Sequence, residues 1–212
     1  MKSIGIIDYQ INNLSSIYHA IKSLNYNPQL IKEKNNKSYD ILVIPGTGSF
    51  AYGMKSIKDK GFEKLIYDHI EKEKLLIAVC LGFQMLFKKS FEYGETNGLG
   101  ILDGDIIPFS NECNKPLIGW SKLTLCGNNH STSIINQNLK NKFFYHVHSF
   151  YLSTNIKDYA LTFSKNNKLE YISSICLKNI FGFQFHPEKS GINGINLLDS
   201  ILKNYEKIWK TN

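Results

Sequence analysis

Two short stretches of the chain carry the residue types that nucleophilic catalysis needs. In the first, Leu75-Leu76-Ile77-Ala78-Val79-Cys80-Leu81-Gly82-Phe83-Gln84, an apolar run leads into a cysteine, with Ala78 two residues before it and Gly82 two after. This is the pattern of a nucleophile elbow, in which a buried strand turns sharply into a helix. A turn that tight leaves little room for flanking side chains, a physical reason for Ala and Gly at those positions. A cysteine placed there also meets the positive end of the helix dipole, which suits an attacking sulfur. The same window would suit a core cysteine, because free Cys is among the most buried residue types.

The second stretch is Ile180-Phe181-Gly182-Phe183-Gln184-Phe185-His186-Pro187-Glu188-Lys189-Ser190, an apolar strand that runs out into His-Pro-Glu. A nucleophilic cysteine needs a base, and the base needs a group to orient it. In an extended, proline-stiffened segment His186 and Glu188 point the same way. A carboxylate beside an imidazole holds its tautomer and steadies the imidazolium. Taken by itself, His-Pro-Glu is also what a surface turn looks like.

The elements that must position these residues read as an α/β chain. Residues 4–8 form a short apolar strand, and residues 14–24 carry Leu14, Ile17, Tyr18, Ile21 and Leu24 on one helical face. A second strand is expected at Gln29-Leu30-Ile31 and a buried one at Ile41-Leu42-Val43-Ile44, apolar at every position. Strand, helix and strand in this order make a βαβ unit and hence a parallel sheet. Pro45-Gly46-Thr47-Gly48-Ser49-Phe50 leaves the third strand, and its glycines allow backbone N–H groups to face a cleft. A helix over 59–74 uses Phe62, Leu65, Ile66, His69 and Ile70 as its apolar face, and a helical segment is expected over 84–89 after the elbow. From Glu95 the texture becomes β-like and glycine-punctuated, with runs at 106–109, 122–125, 143–151, 159–163 and 171–177. A last helix is expected over 192–210. The turns after Asp8, Pro45 and Cys80 all lie at carboxyl ends of strands, where open α/β sheets bind ligands.

Composition narrows the function classes. The 212 residues suit a single domain over 1–212. No apolar run is long enough to span a bilayer, and the first residues lack the long apolar region of a signal peptide. Four cysteines without a CxxC pair argue against a zinc site or a disulfide scaffold and for a reducing cytoplasm. The net charge of +7 comes from lysines dispersed among asparagines, and arginine is absent. Arginine is the residue favoured for bidentate contacts to bases and phosphates, so a nucleic-acid site is not expected.

Together, Ala-Val-Cys80-Leu-Gly-Phe-Gln and Gly-Phe-Gln-Phe-His186-Pro-Glu188-Lys-Ser resemble the class I glutamine amidotransferases. The resemblance implies a flavodoxin-like α/β fold: a central, mostly parallel sheet flanked by helices, with antiparallel strands added in the C-terminal half. It implies a Cys80–His186–Glu188 triad that releases ammonia from L-glutamine through a thioester, without a cofactor or metal. Thr47 and Gly48 would stand by the oxyanion with the N–H of Leu81, and Gly46, Gln84, Ser149 and Phe150 would bind glutamine.

 

Across the whole chain, further segments are similar to the glutaminase subunit of imidazole glycerol phosphate synthase: Asp8-Tyr9…Asn13-Leu14-x-Ser16, Pro-Gly-Thr47-Gly48-Ser-Phe, Gly98-Leu99-Gly100, Pro116…Gly119-Trp120 and His146-Val147-His148-Ser149-Phe150-Tyr151. That likeness implies a heterodimer with a (β/α)8-barrel cyclase, which uses the ammonia to make imidazole glycerol phosphate and AICAR in L-histidine biosynthesis. Asn13, Trp120, Tyr145 and Lys189 would meet the partner, and the oxyanion loop would stay inactive until it docks. The sequence departs from the pattern at Gln10 and Asn12, where Gly is usual, and at Leu117 and Ser121, where His and Asn are usual. Those positions resemble the partner-facing side. They leave open a second acceptor, such as a sugar-amidating synthase of surface-glycan biosynthesis.

Overall fold

The computed structural model describes residues 2–10, 13–33, 37–126, 133–154 and 158–209. Its first part alternates strands and helices: β1 (Ile4–Ile7), α1 (Leu14–Ser23), β2 (Gln29–Ile31), β3 (Ile41–Ile44), α2 (Phe50–Asp59), α3 (Phe62–Glu71), β4 (Leu75–Val79) and the one-turn helix α4 (Leu81–Gln84). Short strands follow: β5 (Lys89–Ser90), β6 (Thr96–Asn97), β7 (Asp105–Pro108), β8 (Leu117–Lys122) and β9 (Thr124–Leu125). After α5 (Ser133–Leu139) come β10 (Phe143–His148), β11 (Phe150–Ser153), β12 (Ala160–Asn166), β13 (Leu169–Leu177) and β14 (Ile180–Phe183). A 3-10 turn at Pro187–Lys189 leads into the long helix α6 (Gly191–Trp209).

Eight strands form one sheet in the order β2-β1-β3-β4-β14-β13-β12-β9. β2, β1, β3, β4 and β14 run parallel, and β13, β12 and β9 extend the sheet antiparallel. Every residue of β3 and β4 is buried, which is why these strands are apolar at every position. Alternate side chains of β3 enter opposite cores. Leu42 and Ile44 pack with Phe50, Met54, Phe62 and Ile66 of α2 and α3, whereas Ile41 and Val43 pack with Ile17 and Ile21 of α1 and Leu198, Ile201 and Leu202 of α6. Two smaller sheets, β10-β8 and β11-β7-β5-β6, complete the β structure.

The register of the large sheet brings the two candidate stretches together. β14 lies parallel beside β4 with Phe183 opposite Val79. The next residues, Gln184 and Cys80, therefore leave the sheet side by side at its carboxyl edge. Two residues further on, the main chain of His186 bridges to Tyr145 of β10.

Several local expectations differ from the structure. The helix after the elbow ends at Gln84, and Lys89–Ser90 pair with β7 instead, so tertiary pairing overrides the helical pattern of 84–89. Helix α2 lies in a stretch that carried no sequence expectation, and its Gly53 lowers helix propensity. There a Cβ would stand 3.0 Å from Met85 Sδ and 3.2 Å from Leu81 Cδ2, so the glycine lets α2 lie close against α4 and the residue after it. The run 143–151 breaks at Ser149 into β10 and β11, which join different sheets, and the run 122–125 divides between β8 and β9. His-Pro-Glu is a turn rather than an extended segment. Alternate residues of a strand sit about 7 Å apart along its axis, too far for a short bond between their side chains, and the turn closes that gap. Of the departing positions, Asn12 lies outside the described residues.

Candidate active site

Cys80 occupies the turn between β4 and α4 with φ 52° and ψ −106°, a conformation that costs a non-glycine residue about 1–3 kcal/mol. Neighbouring structure holds it there. Its N–H donates to the Phe183 carbonyl at 2.7 Å, and its own carbonyl accepts from the Gln84 N–H at 3.0 Å. Gly82 is required for a more specific reason than the turn itself: a Cβ there would stand 2.0 Å from the Ile44 carbonyl oxygen of β3. Cys80 Sγ is nearly buried, 3.8 Å from Gln184 Nε2 and 3.9 Å from the Val147 carbonyl oxygen.

His186 and Glu188 are fully enclosed side chains joined by a 2.7 Å bond between Nδ1 and Oε1. Asn13 Nδ2 donates to the same carboxylate oxygen at 2.7 Å, so a residue expected at the partner interface also touches the candidate triad. The turn carrying Glu188 is clamped from both sides. Gly194 of α6 packs so closely that a Cβ would lie 1.7 Å from the Pro187 carbonyl oxygen. Ser190 Oγ donates to the His186 carbonyl at 2.6 Å and accepts from the Tyr145 N–H at 3.0 Å. The His186 N–H in turn donates to the Tyr145 carbonyl at 2.9 Å.

Burial by itself lowers the pKa of His186, but the Cys80 sulfur and the Glu188 carboxylate outweigh it and raise the value to about 10. Cys80 acts on this imidazole although, among the described residues, no hydrogen bond of regular geometry reaches its Nε2. The other buried imidazoles behave oppositely. Burial pulls His148 and His69 down to about 4 and holds His146 well below its usual value. His146 and His148 belong to a buried network in β10, with His146 Nδ1 3.3 Å from His148 Nε2 and 3.1 Å from the Tyr171 hydroxyl. Among the described residues, no group of three or more His, Cys, Asp and Glu side chains converges as a metal site.

A cavity of about 530 Å³ opens beside Cys80 and is lined by Thr47, Gly48, Leu81, Gln84, Ser149 and Phe150, among others. These are the residues expected around the oxyanion and the glutamine, with one exception. Gly46 is not among the lining residues. It is buried, and a Cβ on it would stand 2.4 Å from the hydroxyl of Tyr9, whose O–H donates to the Pro45 carbonyl. The Leu81 N–H, the expected oxyanion donor, makes a long 3.4 Å bond to the Gly46 carbonyl.

The structure adds residues to the site that carried no assigned role in the sequence. Glu92 and Lys115 bring one acidic and one basic side chain to the cavity wall. Glu92 Oε2 also accepts the Phe50 N–H at the start of α2, at 2.5 Å. Gln184 stands inside the His-Pro-Glu stretch, where its type could have been noticed; Glu92 and Lys115 lie in loops without a motif.

The outward face of β8 and β10 exposes Ile118, Trp120 and Phe143, with Trp120 meeting Tyr145 edge to face at 6.1 Å. Lys189 is exposed as well. Leu117, in contrast, points inward against Phe109 and Tyr171. Strand alternation places it opposite in sense to Ile118 and Trp120. Ser121, on the same alternation, is half-buried. Gln10 is exposed and adopts φ 65°, a backbone conformation that explains why Gly is usual there.

A doubly covered, mostly parallel sheet with a strained cysteine elbow and a His–Glu pair in the turn that follows the adjacent strand defines a class. The family model for glutamine amidotransferase class-I matches residues 5–202, and the chain belongs to that family. It is 36% identical over 208 residues to the imidazole glycerol phosphate synthase subunit HisH of Caldanaerobacter subterraneus subsp. tengcongensis, covering 98% of each chain. Identity to HisH of Aquifex aeolicus is also 36%, over 96% of this chain and 97% of that one. Among solved structures, PurLQS from Thermotoga maritima aligns with a TM-score of 0.74 at 21% identity, over 96% of this chain and 99% of that chain, a likeness of fold.

Proposed function

We propose that this chain is the glutaminase subunit of an imidazole glycerol phosphate synthase, acting in the cytoplasm with a (β/α)8-barrel cyclase. The observation that carries the reading is the enclosed Cys80–His186–Glu188 set, with the sulfur at the wall of a cavity that also presents Glu92 and Lys115. Glutamine is zwitterionic at one end and an amide at the other. Glu92 suits its ammonium group and Lys115 its carboxylate, which leaves the amide for Cys80.

The Cys80 sulfur attacks the amide carbon, and the carbonyl electrons move to oxygen. As that tetrahedral adduct collapses, the C–N bond breaks and His186 gives its proton to the leaving nitrogen, releasing ammonia. Water then attacks the thioester, His186 takes the water's proton, and the C–S bond breaks to give glutamate and free Cys80. Glu188 orients His186 throughout, and Asn13 steadies Glu188.

The oxyanion donors are the Leu81 N–H and the backbone around Thr47 and Gly48. The Leu81–Gly46 bond of 3.4 Å competes with that role, which supports an oxyanion loop that stays inactive until the partner docks. Trp120, Tyr145, Asn13 and Lys189 would meet the cyclase. Tyr145 is hydrogen-bonded directly to the His186 main chain, so docking there lies one residue from the base.

The test mixes the chain with the cyclase subunit from the same source and measures glutamine hydrolysis with and without the cyclase's nucleotide ligand. The reading expects a complex and strong stimulation. Absence of both would move the chain to a different ammonia acceptor, and equal turnover by the isolated chain would overturn the inactive-loop part.

A further inference from the structure

The glutaminase reading leaves Gln184 without a task, although this side chain is fully buried and adjoins the nucleophile. We infer that Gln184 is a positioning residue for Cys80: its side-chain amide donates to the sulfur, and Gln84 fixes the way that amide faces. The inference deepens the reading above and rests on it.

The orientation follows from a chain of hydrogen bonds that begins at the backbone. The Phe150 carbonyl can only accept, so the end of Gln84 that lies 3.2 Å from it must be the Nε2 amide group. The same Nε2 lies 2.9 Å from the Gln184 side chain, which must therefore present Oε1. The opposite end of Gln184, Nε2, is then turned toward Cys80 Sγ at 3.8 Å. Neither amide can flip without placing donor against donor or acceptor against acceptor in a buried place. The Gln184 main chain is pinned as well, its N–H donating to the Ser173 carbonyl at 2.9 Å.

Chemistry explains the use of such a donor. Besides the His186 imidazole, Sγ lies near the Val147 carbonyl, an acceptor that suits a neutral thiol and repels a negatively charged sulfur. Gln184 supplies the opposite preference. It stabilises the sulfur when it carries charge before attack and when it leaves the thioester. Because Gln84 also lines the cavity, a ligand that contacts Gln84 would tighten or loosen the same relay.

The experiment compares wild type, Gln184→Met and Gln184→Glu, each assembled with the cyclase. Glutamine kcat and KM are measured against pH, and alkylation of Cys80 by iodoacetamide is followed by peptide mass spectrometry. Gln184→Met keeps the bulk and removes the donor. It should lower kcat by about ten- to a hundredfold, the range for losing a hydrogen bond to a charged group, with KM little changed and alkylation slowed. Gln184→Glu places a negative group at the sulfur, so it should be nearly inactive at neutral pH and recover as acid protonates the carboxyl into a donor. A folded Gln184→Met with unchanged kcat and alkylation would overturn the inference. So would equal losses in both variants at every pH, accompanied by a lowered Tm, because that marks packing alone. Failure of the glutaminase reading is seen separately, as no hydrolysis by the wild-type complex, while the alkylation comparison still reports the Gln184 contact.

Discussion

Removing the Cys80 sulfur should change the protonation of a histidine that is otherwise left in place. His186 holds its proton up to about pH 10 although burial works against it, and the sulfur is the first of the groups that raise it. The rise of His186 from its ordinary 6.5 to about 10 corresponds to about 5 kcal/mol, at about 1.4 kcal/mol per pH unit. Cys80→Ala should therefore lower the pH at which His186 titrates by a large part of that rise, leaving Glu188 and burial to set what remains. The assay is a pH titration by NMR of the chain labelled on its histidine rings, with the His186 signal assigned by its loss in His186→Gln. Stability gives a second readout. The native state binds this proton more tightly than the unfolded chain, so its stabilisation is full below about pH 6.5 and is lost as pH rises through about 10. Wild type should lose stability over that window more steeply than Cys80→Ala. A His186 signal that titrates at the same pH in both proteins would refute the reasoning and leave Glu188 as the whole cause.

Asn13→Ala removes a donor from an enclosed carboxylate whose Oε2 has no hydrogen-bond partner among the described residues, so kcat in the complex should fall by about ten- to a hundredfold with KM unchanged. Steady-state kinetics checks it. Gly194→Ala drives a methyl group against the Pro187 carbonyl and should cost about 3 kcal/mol or more in urea unfolding, with glutaminase activity falling because the Glu188 turn is displaced. His69 is buried with Nε2 2.8 Å from the Leu75 carbonyl and titrates near pH 4, so its contribution to stability is full above about pH 6.5 and is lost as pH falls toward 4. His69→Gln should flatten that acid slope, by about 3 kcal/mol at most, in urea titrations from pH 7 to 4.

Much of this arrangement was legible because it is local. Ile41-Leu42-Val43-Ile44 and the run before Cys80 announce strands covered on both faces, and the elbow and the His-Pro-Glu stretch announce themselves by residue type. What stayed hidden depends on distant parts of the chain. Asn13 and Glu188 meet across 175 residues, and no local pattern signals that pair. Helix α2 starts at an aromatic residue and tolerates Gly53 because α4 packs there. The helical pattern of 84–89 yields to a strand pairing made with β7. Leu117 illustrates a further limit: comparing residue types marked it as a departure, and only the alternation of β8 shows that its side chain enters the core beside Tyr171.

The central claim is that Cys80 is the nucleophile that draws ammonia from glutamine for a partner synthase. The most direct measurement assembles wild type and Cys80→Ala with the cyclase and follows product formation from glutamine and, separately, from ammonium. The account predicts that the variant loses the glutamine-dependent reaction and keeps the ammonium-dependent one at the wild-type rate. A variant complex that still consumes glutamine would contradict it.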